Sequence, residues 1–146
     1  MSKHELERFN EAEQMYLDVI AGLRRTTEPK DPTVTKPLSN LGVLYTSIKD
    51  YAKAEPVLRE VLELRRQHFG EEHLETADAK YNLYNVLHNT KRQEEGWPLL
   101  EQAVPVVRKV LGDDNPEAAR ILFAYAWGLT VDENDQELKA QPLFVG

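Results

Sequence analysis

Shifted by 42 positions, the sequence falls into step with itself. Leu41 lands on Leu83, and Leu83 on Tyr125. Tyr45 lands on Leu87, then on Leu129. Pro56 meets Pro98, Leu58 meets Leu100, and Phe69-Gly70 meets Leu111-Gly112. Backwards, Ala54-Glu55 falls on Ala12-Glu13 and His73-Leu74 on Asp31-Pro32; Pro116 is also in step with Pro32. The register holds without a gap. A unit repeated at such a period can bury its apolar side only against its neighbours, so the chain is constrained to a solenoid.

Each unit reads as two helices. Leu38, Leu41, Gly42 and Tyr45 give the first a helical stripe of small and apolar residues. Ala54, Val57, Leu58, Val61 and Leu62 do the same for the second. Asp31-Pro32 and Asn115-Pro116 each place a side-chain oxygen at an N-cap and a proline at the first helical position, where no N–H is needed. Gly70 and Gly112 stand where a helix must turn left-handed and stop.

These residues carry a resemblance. Gly42, Tyr45, Ala54 and Leu58 fall on the small, aromatic, small and large apolar positions of the tetratricopeptide repeat. The period exceeds the usual ~34 residues. Asn40-Leu41-Gly42-Val43-Leu44-Tyr45, Tyr51 to Leu58 and Phe69-Gly70-Glu71-Glu72-His73 resemble the extended repeats of kinesin light chains. The resemblance spans about residues 8 to 131. It implies an all-α fold: a right-handed α-solenoid of antiparallel helix pairs, about two and a half repeats long. It also implies protein binding, without naming the partner.

Composition bounds the rest. A chain of 146 residues makes one domain, 1–146. The net charge of −7 disfavours nucleic acid and anionic membrane surfaces, which want clustered Lys and Arg. Without cysteine there is no disulfide framework and no thiolate chemistry. The charged start Met1 to Arg8 lacks an apolar signal core, and no apolar run is long enough to span a membrane. A cytoplasmic protein is the expectation.

Along the chain, the repeat is joined in mid-unit. Helix 5–25 is in step with the second helix of a pair, as a half repeat whose first helix is missing, and should leave an apolar flank uncovered. Full repeats follow at 32–68 and 74–110. A partial repeat covers 116–140, with helix 116–131 and a degenerate second element. The second repeat departs from the first in three ways. Gly96 replaces alanine. Trp97 replaces glutamate at a position expected to be exposed. Pro105 interrupts a helix interior, where a kink is expected. Leu143-Phe144-Val145 forms an apolar tail, a candidate cap.

No catalytic signature is present. Ser2, Ser39 and Ser47 sit in no nucleophile elbow, and there is no P-loop, dinucleotide fingerprint or H-E-x-x-H. No metal or other cofactor is expected; His68 and His73 read as loop and capping residues. The chain reads as a non-enzyme.

In tetratricopeptide arrays the first helix of each pair lines the concave face. The resemblance therefore puts Lys36, Ser39, Asn40, Val43 and Ser47 on that face, then Asp78, Tyr81, Asn82, Asn85, His88 and Asn89, then Arg120, Phe123, Trp127 and Thr130. Asn40 and Asn82 share one register position. Their carboxamides can donate and accept, either to the backbone of an extended peptide, as in related repeats, or to a neighbouring repeat or water. Tyr81, Phe123 and Trp127 make one end of the groove aromatic; the last two meet a ligand, the tail or a subunit neighbour. Arg120 can meet a carboxylate. The family's full carboxylate clamp is not reproduced, because Ser39 and Val43 stand at two of its positions.

The expected ligand-binding set is Asn40, Val43, Tyr81, Asn82, Asn85, Arg120, Phe123 and Trp127. The leading function is a module holding a protein or peptide segment in the concave groove. The alternatives are a self-assembling homodimer or stack, and a small-molecule or catalytic pocket at the aromatic end.

Overall fold

A computed structural model describes residues 1–130. The tail Leu143-Phe144-Val145 and the second element of the third unit lie outside the described residues. Six helices follow in order: α1 (Lys3–Thr26), α2 (Thr35–Ser47), α3 (Tyr51–Phe69), α4 (Leu74–Asn89), α5 (Gln93–Val110) and α6 (Pro116–Leu129). Among the described residues there is no strand. The helices pack in adjacent pairs, as an α-solenoid of the tetratricopeptide type requires. No helix there is long and apolar enough to cross a membrane.

The register reappears as local geometry. Asp31, His73 and Asn115 each cap a helical start by accepting the N–H two residues on, at 2.8, 3.0 and 2.8 Å. Gly70 and Gly112 both adopt the left-handed φ (86° and 84°) that stops the preceding helix. Lys49 and Lys91 also turn at positive φ (64° and 60°), at the bends from α2 to α3 and from α4 to α5.

The helix expected from Pro32 opens differently. Pro32–Val34 is a single turn of 3-10 helix before α2 begins. Pro37 has no N–H to offer the Thr33 carbonyl, and the Thr35 hydroxyl donates to the Pro32 carbonyl at 2.7 Å, which tightens the turn. Pro105 lies inside α5, which runs through it to Val110. Pro105 and Glu101 are both exposed, so the carbonyl left without its donor lies on the solvent side.

Two rows of helices result. The first helices of the pairs touch one another: the Asn82 amide donates to the Ser39 hydroxyl between α2 and α4, and Arg120 donates to Asp78 between α6 and α4. The second helices are tied by ion pairs: Arg24–Glu60 between α1 and α3, Arg59–Glu95 between α3 and α5, and Glu55 on α3 with Arg92 just before α5. Apolar side chains fill the space between rows. Leu38, Leu41, Tyr45, Leu58, Val61 and Leu83 form one cluster, and Ala77, Tyr84, Leu100, Val107 and Ile121 another.

The close crossing within the first pair is made by Gly42. A Cβ there would lie 2.4 Å from Leu58 and 3.5 Å from Val57. Trp97 is the clear correction. It is half-buried, stacked on Tyr125 at 5.2 Å, and its ring lies where a side chain on Gly128 would begin. The missing side chain on α6 makes room for the large one on α5.

Among the described residues charge is buried at two places. Arg65 reaches from α3 to the start of α4, donating to the Glu75 carbonyl at 3.1 Å and lying 3.6 Å from both Glu75 and Asp78 carboxylates. Lys80 is 2% exposed, at the register position of Leu38 and Leu122, and its ammonium is met by Glu71 at 2.6 Å. That bond holds the Glu71 carboxyl below its ordinary range, as the Arg92 bond does for Glu55. A lowered folded pKa gives stability that is present above the ordinary carboxylate value and is lost as pH falls through the folded value. The Glu55→Gln/Glu71→Gln double variant should therefore lose less melting temperature than the parent between about pH 6 and about pH 3. Parallel melting curves for the two proteins across that range would refute the assignment.

Candidate functional site

The groove lies between α4 and α6. Residues 81, 84 and 88 share one face of α4, being three and four apart, and 120, 123 and 127 share one face of α6. The α5 helix packs on both and holds the two faces in register. They enclose an open volume of about 510 Å³ lined by Tyr81, Tyr84, Asn85, His88, Arg120, Phe123 and Trp127, with Ala119 and Ala124 between.

The α4 wall is a ladder of rings. Tyr81 and Tyr84 stack at 6.3 Å, and Tyr84 and His88 at 5.6 Å, each pair within about 20° of parallel. Burial pushes the Tyr84 hydroxyl pKa up, with the neighbouring Tyr81 adding to it. At one end Arg120 lies over the Tyr81 ring at 5.4 Å and bonds the Asp78 carboxylate at 3.1 Å. Asp78 is desolvated, which raises its pKa, although Arg120 and Arg65 both act to lower it. The chemistry on offer is broad aromatic surface, one compensated cation, and a few neutral hydrogen-bonding groups. Such a lining suits an apolar or aromatic side chain with a polar backbone beside it.

Of the expected residues, the groove brings together Tyr81, Asn85, Arg120, Phe123 and Trp127. Phe123 is 51% exposed. Asn40 and Val43 are exposed on α2, one repeat away. Asn82 is 8% exposed and its amide donates to Ser39 at 3.4 Å, a bond to the neighbouring repeat. Asn82→Ala should cost about 1 kcal/mol of stability, and Asn40→Ala a few tenths at most. Equal melting temperatures for the two variants would refute that distinction.

Sequence reasoning missed Tyr84. It occupies the register position of Gly42, at the helix crossing. The signal was present: Gly96 stands opposite, and a Cβ on Gly96 would lie 3.4 Å from the Tyr84 ring. In the second repeat a ring stands where the first has Gly42, and glycine in place of alanine at position 96 gives it room. His68 and His88 are ring partners, of Phe69 and Tyr84, and His73 accepts the Glu75 N–H and stacks on Phe69 at 4.4 Å. Among the described residues no group of His, Asp or Glu is placed to hold a metal ion.

Residues 38–75, which are most of α2, all of α3 and the turn into α4, match the family model of the tetratricopeptide repeat. The match supports a tetratricopeptide repeat protein, a fold that typically serves protein interaction, and indicates no catalytic family. No curated protein matches the chain.

Proposed function

We propose that the chain is a peptide-binding scaffold whose ligand is an extended segment of another protein. The observation that carries this is the α4–α6 groove, with its ring ladder facing Phe123 and Trp127 across about 510 Å³. Tyr81, Asn85, Arg120, Phe123 and Trp127 are the proposed anchors. Asn40 and Val43, exposed on α2, extend the track by one repeat for a longer ligand. A repeat of the extended kinesin-light-chain type and a cytoplasmic setting belong to the same proposal; the 42-residue spacing of caps and left-handed turns supports the first.

The test is selection from a random peptide display library, followed by titration of the enriched peptides. Binders should share an apolar or aromatic residue and should lose affinity when Phe123 or Trp127 is truncated. Peptides that bind the truncated variants as tightly as the parent would place recognition elsewhere.

A further inference from the structure

We propose that the outer face of α1 is a pairing surface for a second copy of this chain, α1 against α1 in antiparallel. The reasoning begins with the repeat register. Met15 and Val19 occupy on α1 the positions of Val57 and Val61 on α3, and of Leu99 and Ala103 on α5. Val61 and Ala103 are fully buried, whereas Val19 is 50% exposed and Met15 64% exposed. The covered counterparts lie in second helices packed on the first helix of their own pair. What α1 leaves open is therefore a seat for a helix.

The strip's spacing and charge identify the occupant. Ala12, Met15, Val19 and Gly22 follow intervals of three, four and three, the a and d positions of a heptad pattern. That pattern is symmetric about Leu17. Laid antiparallel on itself, it sets Met15 against the second copy's Val19, and Ala12 against the second copy's Gly22. Among the described residues only the Arg25 guanidinium, at 3.9 Å, approaches the space beside Gly22, so a partner helix can come close. The charges agree with the same direction. The edge of the strip carries Glu11 in its first half and Arg25 in its last turn. Antiparallel pairing brings each Glu11 beside the other copy's Arg25; parallel pairing would put the two edges on opposite sides of the contact and forgo both pairs. Arg24 is turned away, toward Glu60 on α3. Asp18, held by the Gln14 amide at 2.9 Å, is the one group that meets its own copy near the axis. A two-fold contact of this kind closes on itself as a dimer.

The chain contains no cysteine, so engineered thiols report without background. Ala12→Cys and Gly22→Cys chains, carrying tags of different length, are mixed and oxidised. The expected product is the mixed disulfide alone. In the antiparallel pair two copies of position 12 are ten residues apart along the axis, about 15 Å, beyond disulfide reach. Met15→Glu, at an exposed position, should keep the helical circular dichroism spectrum. It should weaken dimerisation at least about tenfold in sedimentation and abolish the mixed disulfide. Asp18→Asn should tighten the dimer. A monomer at every concentration, a disulfide in either cysteine variant alone, or a dimer indifferent to Met15→Glu would each overturn the proposal.

Discussion

Replacing Arg65 with methionine will lower stability by about 3 kcal/mol, the lower end of the range for removing one partner from a buried charge cluster. For a chain of this size that is a fall in melting temperature of roughly 6–12 °C. Arg65 is buried between rows, where its guanidinium serves the Glu75 carbonyl, the Thr35 hydroxyl and the Asp78 carboxylate. Methionine keeps much of the volume and supplies none of the charge. The carboxylate of Asp78, already destabilised by desolvation, then keeps Arg120 beside it as a cation. Its folded pKa rises further above the unfolded value. The cost is thus full at neutral pH and shrinks as pH falls through the raised value. Adding Asp78→Asn should recover part of the loss. If Arg65→Met unfolds at the parent's midpoint, the cluster has been misread as a stabilising element.

The second large effect is on binding. Truncating Trp127 to alanine should weaken a selected peptide by about 2 kcal/mol or more, roughly thirtyfold, as for a central aromatic anchor. Phe123→Ala should show a comparable loss with little change in melting temperature, because half of that side chain is already in solvent. The contrast matters. A loss of affinity that tracks a loss of folding says nothing about recognition; a loss at Phe123 with folding intact does. Unchanged affinity in both variants would rule out the groove as the site.

Most of this architecture could be read from the residues. Caps at Asp31 and Asn115, stops at Gly70 and Gly112, and the apolar stripes of each pair all follow from local chemistry repeated at one spacing. Other features obeyed the spacing but not the residue type. Lys49 and Lys91 sit at positive φ, where glycine or asparagine would have announced the turn. Lys80 fills a core position, which is tolerable only because a loop glutamate comes to meet it. The fit of a large ring into the space beside a glycine, Tyr84 at Gly96 and Trp97 at Gly128, needs both helices to be seen together. Each change alone reads as an exception. Asn40 and Asn82 show the limit of register itself. Asn82 has α2 on one side and is buried against Ser39, whereas among the described residues α2 has no helix of its own row on the corresponding side. The same residue at the same position is a tie in one repeat and exposed surface in the other.

The ion pairs along the second helices bear on elasticity. Arg24–Glu60, Arg59–Glu95 and Arg92–Glu55 act as springs across the back of the coil, between side chains that solvent reaches. Each contributes little to folding on its own. Their combined pull resists bending of the coil toward the groove side, and dissolved salt weakens that pull over a distance of about 8 Å at physiological strength. Ionic strength should therefore tune the stiffness of this molecule, and with it the curvature that the proposed ligand would meet.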